Sequence, residues 1–259
     1  GDAFQLPPVG SSTMPVTASG IDTAFLTEIV RANKRLDLEE VYRQAREMVI
    51  SEGGVYIPQS SENVSVIPKD GSKEYLQELL RKDPHTKVLG YTNSAVESCN
   101  MLCRELLGLP KEPVPGDLLV AEDVVIQNTC RLAYIGQEFV VDWVEESGFK
   151  YGDTVFPAHK IFTTCGVEFL RASNPEDRNN CLKHLKSNKA WSVFYHMKET
   201  LADLRFTHAA TVHKSQGSTH KNVLVLVPNI VRCIANNERR RLLYVAYTRA
   251  SEHLHILTE

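Results

Sequence analysis

The stretch Lys87-Val88-Leu89-Gly90-Tyr91-Thr92-Asn93-Ser94-Ala95-Val96 decides the fold class. Lys87 to Tyr91 forms a compact apolar strand, and a helix is expected from about Ser94 to Leu107. A strand, a turn and a helix in such quick succession are the pattern of a parallel α/β sheet. Parallel strands need that pattern because their ends lie far apart and a helix must carry the chain back.

Towards the N-terminus the same texture continues. Leu38, Val41, Tyr42, Ala45, Met48 and Val49 recur at helical spacing, and Asp37 with Glu40 three residues on reads as a capping box. A second helix is expected from Lys73 to Arg81, ending before Asp83-Pro84 because proline disfavours helical backbone in the residue before it. Phe25 to Val30 is a short strand candidate, and the first twenty residues, rich in Pro, Gly, Ser and Thr, read as a loop.

Towards the C-terminus the texture changes at Pro110. Short β-prone runs (Leu118–Val120, Val124–Ile126, Phe139–Val144, Thr154–Phe156 and Lys160–Thr164) alternate with Gly116-Asp117, Gly136, Gly148 and Gly152-Asp153, which suggests a small barrel. Helices are expected near Pro175–Ser187 and Trp191–Leu204. The α/β texture then returns with strands at Ala209–Val212, Val223–Val227 and His253–Leu257 and a helix at Glu238–Tyr247. The expected organisation is one α/β domain, residues 1–110 and 189–259, interrupted by a β-rich insertion at 111–188.

Composition narrows the class further. Of 259 residues 42% are hydrophobic and 24% charged, the balance of an ordinary globular protein, and no apolar run is long enough for a bilayer. No basic start or apolar h-region marks a secretion signal. A net charge of -3 excludes a surface that binds nucleic acid all over, so any such site is a local groove. Of six cysteines only Cys99 and Cys103 are close, at i,i+4, and no second pair at zinc spacing follows, so no metal site is expected. Scattered thiols fit a reducing compartment, the cytoplasm, or the host cytoplasm for a viral protein.

Four segments carry chemistry, each with a plain reading beside the functional one. Gly1-Asp2-Ala3-Phe4-Gln5-Leu6-Pro7-Pro8-Val9 is a proline-rich turn, or a rigid loop whose Gln5 amide can donate to a phosphate oxygen. Thr211-Val212-His213-Lys214-Ser215-Gln216-Gly217-Ser218-Thr219 is a surface turn, or a loop whose small residues let backbone amides approach phosphate. In Leu242 to Ser251, Arg249 either caps its own helix's carbonyls or projects a cation to meet developing phosphate charge. In Leu89 to Asn100, an N-cap by Asn93 explains half of the polar residues, and contacts to a nucleic-acid backbone would use the same groups. The run Arg239-Arg240-Arg241 reads as a solvated helix face before it reads as a DNA patch.

Together these segments resemble the superfamily 1 helicases. Gly1 to Val9 looks like motif III, Leu26 to Arg31 like the stretch ending in the motif IV arginine, Thr211 to Thr219 like motif V, and Tyr244 to Ala250 like motif VI, in the family's order. Gln216-Gly217-Ser218-Thr219, with Trp191 and Phe194 upstream, most resembles the phage Dda and RecD-like branch, which moves 5′ to 3′ on single-stranded DNA.

The resemblance implies a RecA-like second motor domain with an inserted SH3-like β-barrel. It implies that Gln5, Arg31 and Arg249 face the γ-phosphate of ATP, with Arg249 as arginine finger, and that Gly217 and Ser218 sit near the nucleotide. Thr92, Asn93, Thr211, His213 and Lys214 would face single-stranded DNA. Two features depart from the pattern. Thr219 stands where many relatives have Glu, and the sequence contains neither a G-x-x-x-x-G-K-[ST] P-loop nor an acidic magnesium-binding motif.

A chain that starts at motif III is therefore expected to be part of a longer, monomeric helicase. Its missing N-terminal motor domain would hold ATP and Mg2+, and this part alone would be inactive. A non-catalytic single-strand-binding module derived from a helicase, and an RNA helicase, remain as alternatives.

Overall fold

In the computed structural model of the protein, residues 2, 4–7, 32, 34–127, 130–151 and 154–259 are described. The strand candidate Phe25–Val30 lies outside them. The chain divides into two compact units, Gly1–Leu109 with His208–Glu259, and Pro110–Thr207.

The first unit begins with α1 (Leu36–Ile50), β1 (Val64–Ile67), α2 (Ser72–Lys82), β2 (Lys87–Gly90) and α3 (Asn93–Leu106). The second holds β3 (Leu118–Ala121), β4 (Val125–Gln127), β5 (Cys130–Ala133), β6 (Glu138–Tyr151), β7 (Thr154–Thr163), β8 (Glu168–Ala172), α4 (Pro175–Ser187), α5 (Trp191–Thr200) and β9 (Leu204–Phe206). The chain then returns to the first unit through β10 (Ala209–Thr211), α6 (Val212–Ser215), β11 (His220–Leu226), α7 (Val227–Ile230), α8 (Asn236–Tyr247) and β12 (Ala250–Leu257).

The first unit is built on a five-stranded sheet in the order β1-β12-β11-β2-β10, and every pairing in it is parallel. Alternate residues of each strand feed opposite faces. Leu89, Val223, Val225, Leu254 and Ile256 share a core with Leu38, Val41, Tyr42 and Ala45 of α1 and with Leu242, Leu243 and Val245 of α8. Val88, Leu224 and Ala209 point the other way, to Leu76 and Leu80 of α2 and Val96 and Cys103 of α3. Helices cover both faces, so the strands read as continuous apolar runs rather than alternating ones. Every expected stripe residue of α1 is buried, and the Tyr42 hydroxyl donates to the Ala250 carbonyl at the start of β12.

Two expected caps differ. The capping box on α1 does not form: the Asp37 carboxylate accepts from Asn63 N and Ser61 Oγ, both at 2.8 Å, and Glu40 pairs with Arg43 at 2.7 Å. Tying the helix start to the segment before β1 satisfies more donors than a local box would. At α3 the cap is Thr92, one residue before Asn93, with its Oγ1 accepting from Ala95 N at 3.3 Å.

Asn100 lies in α3 and is 1% exposed. Its Oδ1 accepts from Ala209 N at 2.7 Å and its Nδ2 donates to Ala209 O at 3.5 Å, so the amide holds the edge strand β10. Asn100→Ala leaves a buried N–H without a partner and should lower unfolding free energy by about 1–3 kcal/mol. Urea denaturation checks this, and a loss below about 0.5 kcal/mol would contradict the assignment.

The second unit carries a five-stranded antiparallel sheet in the order β8-β7-β6-β3-β9 and a separate β4-β5 hairpin. The sheet curls until its edges meet: Ala202 N donates to Leu170 O at 2.8 Å and Arg171 Nε to Leu204 O at 2.8 Å. Gly148 does not break the chain. It pairs with Pro157 inside a long β6–β7 hairpin, where a Cβ would lie 2.8 Å from Val155 Cγ1. The expected runs Thr154–Phe156 and Lys160–Thr164 fall in the single strand β7, which ends at Thr163.

The expected helix at 191–204 stops at Thr200, and Leu204–Phe206 is strand β9. Residues 189–207 therefore lie in the second unit rather than the α/β unit, because Met197 and Leu201 share a core with Phe149, Ala158 and Leu185.

Candidate functional site

The first unit's polar residues gather at the carboxyl ends of β2 and β10, the edge where open parallel sheets bind ligands because the following loops diverge there. β10 runs straight into the one-turn helix α6, capped by Thr211, whose Oγ1 accepts from Lys214 N at 3.4 Å. Gly217 then turns the chain with φ +93°, a left-handed conformation that favours glycine.

Two sets of contacts flank this loop. On one side Gln216 Nε2 donates to Gln5 Oε1 and to Leu6 O, both at 3.3 Å. Gln5 Nε2 in turn donates to Asp2 Oδ2 at 3.3 Å, and the Tyr244 hydroxyl donates to the same oxygen at 2.7 Å. Arg241 Nη1 donates to the Gln5 carbonyl at 2.6 Å. Residues of α8 and of the loop thus hold the segment around Gln5 between them.

On the other side stands Arg249, 0% exposed. Its Nε donates to Val245 O at 3.0 Å, Nη1 to Ser218 O at 3.0 Å and Ser215 O at 3.5 Å, and Nη2 to Thr248 Oγ1 at 3.1 Å. The guanidinium therefore ties the end of α8 to the Ser215–Ser218 loop. The plain reading of Arg249 accounts for its bond to the Val245 carbonyl of its own helix, and its other donors are turned to Ser215, Ser218 and Thr248.

The residues expected at a nucleic-acid strand group around the neighbouring strand ends. Thr211 is paired with Gly90, Thr92 follows two residues on, and the rings of Tyr91 and His213 are 6.1 Å apart. Asn93, His213 and Lys214 are exposed, and His213 Nε2 lies 3.5 Å from Glu238 Oε1. Thr211 itself is buried, its hydroxyl used in the cap. Gly217 and Ser218 are exposed beside the Gln5 cluster. Arg31 lies outside the described residues.

Asn229 was not singled out from the sequence. Its Oδ1 accepts from Tyr91 N at 2.6 Å and Thr92 N at 3.1 Å, and its Nδ2 donates to Thr92 Oγ1 at 3.1 Å. Nothing in Val227-Pro228-Asn229-Ile230 signals this, because its partners lie more than 130 residues away. Arg241, which holds the Gln5 carbonyl, and Tyr244, which holds Asp2, were missed for the same reason.

The arginine run of α8 is engaged with backbone. Arg239 Nε donates to Cys233 O at 2.9 Å and Arg240 Nε to Gly53 O at 2.8 Å, while Arg241 holds Gln5. Burial pushes the Cys99 thiol up to about 11 and Cys103 to about 12, with Cys99 adding to the latter shift, so both stay protonated as small apolar groups.

A nucleotide fits this arrangement only in part. The Gln5 amide and the backbone at exposed Gly217 can meet phosphate oxygens, whereas the Ser218 N–H is given to Ser215 O at 3.0 Å. Arg249 cannot as it stands, because its donors face Val245, Ser215, Ser218 and Thr248.

Part of this unit is similar to known proteins. Residues 206–257, which span β10 to β12, match the family model of the UvrD-like helicase C-terminal domain. That match covers about a fifth of the chain, and the sheet it falls on is the all-parallel one of the first unit. Its fold is similar to that of Pif1 helicase from Candida albicans, with a TM-score of 0.51 at 16% identity, covering 100% of this chain and 62% of that one.

An uncharacterized protein of Acanthamoeba polyphaga mimivirus is 39% identical over 74 residues, 28% of this chain and 15% of that protein. Another, from Methanocaldococcus jannaschii, is 36% identical over 76 residues, again 28% of this chain and 6% of that one. The matched stretch is thus a small part of either curated relative. Among the described residues no helix is long and apolar enough to cross a membrane.

Proposed function

We propose that the chain is the second motor domain of an ATP-driven helicase that translocates along single-stranded DNA. The observation that carries this reading is the shared loop: Gln5 and Arg249, distant in sequence, bond to opposite sides of Ser215–Ser218. A binding event sensed at Gln5 through Gln216 would therefore be felt by the helix end that holds Arg249. Asn93, His213 and Lys214, with Thr92 beside them, form the grip on the strand, using the hydroxyl, amide and cationic groups that contact nucleic-acid backbones.

ATP and Mg2+ would be held mainly by an N-terminal motor domain supplying the P-loop, with Gln5, Arg31, Gly217, Ser218 and Arg249 completing the pocket. For Arg249 to act as an arginine finger, phosphate oxygens must replace the Ser215 and Ser218 carbonyls as its acceptors. The curled sheet at 110–207 is read as the SH3-like insertion, and the working protein as a cytoplasmic monomer.

The enclosure of Arg249 favours a second reading, a non-catalytic single-strand-binding module in which this arginine only braces the loop. Coding sequence before Gly1 separates the two, since a P-loop within one domain length belongs only to the first.

The purified chain should show no magnesium-dependent phosphate release from ATP, with or without oligothymidylate. It should bind fluorescent oligothymidylate with an affinity that falls as salt rises from 50 to 200 mM, because strand binding releases counterions. Lys214→Ala should weaken binding about fivefold, the size of one lost charged phosphate contact. ATP turnover by the pure chain would overturn the proposed division of labour. Binding that ignores both salt and Lys214 would overturn the strand site.

A further inference from the structure

We infer that Asn229 is a positioning residue of the strand-binding face, one that leaves the Thr92 hydroxyl able only to donate, towards an acceptor such as a phosphodiester oxygen. This rests on the single-strand reading above and specifies which atom meets the strand and why.

The argument is one of hydrogen-bond capacity. A threonine hydroxyl has two lone pairs and one proton. Thr92 Oγ1 receives Asn229 Nδ2 at 3.1 Å and Ala95 N at 3.3 Å, so both lone pairs are taken. Among the described residues no group accepts the remaining proton. The two backbone donors beside it are also spent, because Asn229 Oδ1 receives both Tyr91 N and Thr92 N.

The exit of β2 therefore offers one oriented donor and no acceptor at this point. Such a site selects ligands that only accept. A phosphodiester oxygen is of that kind, and the exposed cation Lys214 lies in α6, directly after the paired strand β10. Asn229 comes from a different part of the chain, on α7 after β11, so it holds Thr92 without depending on the α3 cap.

The clamp is first read without DNA. In Asn229→Ala, hydrogen exchange at the Tyr91 and Thr92 amides should accelerate at least tenfold, as expected for loss of a protecting bond. Exchange at the wild-type rate overturns the proposal. With oligothymidylate, Thr92→Val should weaken binding about tenfold while Thr92→Ser retains it, the effect of one hydrogen bond to a charged oxygen.

Asn229→Asp should keep the backbone amides protected but take the Thr92 proton for its own carboxylate. It should therefore weaken binding in the Thr92 protein, and by less than half as much in the Thr92→Val background. An equal loss in both backgrounds overturns the positioning role while leaving the strand site standing. Protected amides in a wild-type chain that binds no oligonucleotide overturn the strand reading, and with it the ligand assigned to Thr92.

Discussion

Arg249→Ala lowers the unfolding free energy of this chain by about 3–5 kcal/mol, the scale seen when a buried charged partner is removed from a satisfied network. The side chain is fully buried and donates to three carbonyls and one hydroxyl. Hydrogen bonds to charged groups contribute about 1.5–3 kcal/mol each, and a buried carbonyl left without a donor costs about 1–3 kcal/mol. Ser218 is exposed, so water can replace the donor there, whereas Val245 and Ser215 are buried and cannot recover as easily.

Lysine offers a point charge in place of a fork and should recover at most about half of the loss. Urea unfolding of the purified chain decides the matter. A loss below about 0.5 kcal/mol would mean that Arg249 serves only a ligand and does not brace the loop. In a full-length enzyme the two roles separate as well, since a bracing residue lowers stability before any nucleotide is added.

Acid should destabilise the α/β unit well above the range where carboxylates titrate. Burial pushes His220 down to about 4, helped by the nearby charges of Lys87 and Arg249. It pushes His255 down to about 4 as well, helped by His253 and Lys82. Each Nε2 is enclosed without a hydrogen-bond partner among the described residues, so a proton there would gain a buried charge and no acceptor.

The unfolded chain takes up these protons near the ordinary histidine value of 6.5, and the folded chain does not until about 4. Unfolding therefore binds more protons across that window, and stability falls as pH drops through it. Above pH 6.5 the two histidines make stability independent of pH, and below 4 their loss is complete.

With allowance for the partial exposure of His220, the two together should remove on the order of 3–5 kcal/mol between pH 7 and pH 4.5. Urea midpoints across that range test this, and a profile flat to pH 5 would contradict it. His255→Gln should reduce the slope by about one proton, provided the Tyr75 hydroxyl, 2.9 Å from His255 Nδ1, keeps a partner.

Much of the architecture was legible because it depends on local periodicity. Leu38, Val41, Tyr42, Ala45, Met48 and Val49 sit on one face of a helix by spacing alone, and all are buried. The strand at Lys87 and the helix ending at Tyr247 were legible for the same reason. The insertion was legible only as texture. Gly148 reads as a break in sequence, yet it lies within a long hairpin, where a Cβ would meet the side chain of Val155.

The site divides along the same line. Residue types and their order in Thr211 to Thr219 and Tyr244 to Ala250 sufficed to suggest a phosphate-handling motor domain, and the family model covers those segments. Orientation did not follow from them. Thr211 caps a helix, Asn100 holds an edge strand, and Arg249 turns inward to three carbonyls.

By itself the sequence determined a parallel α/β unit interrupted by a β-rich segment, together with the groups available for phosphate and strand contacts. Helical and strand periods act within a dozen residues, so they can be read along the chain. Only the tertiary structure decided which of those groups still has a donor to spare. That depends on partners brought from afar, Asn229 to Thr92, Gln216 to Gln5 and Ser218 to Arg249, and a hydrogen bond once made is no longer available to a ligand.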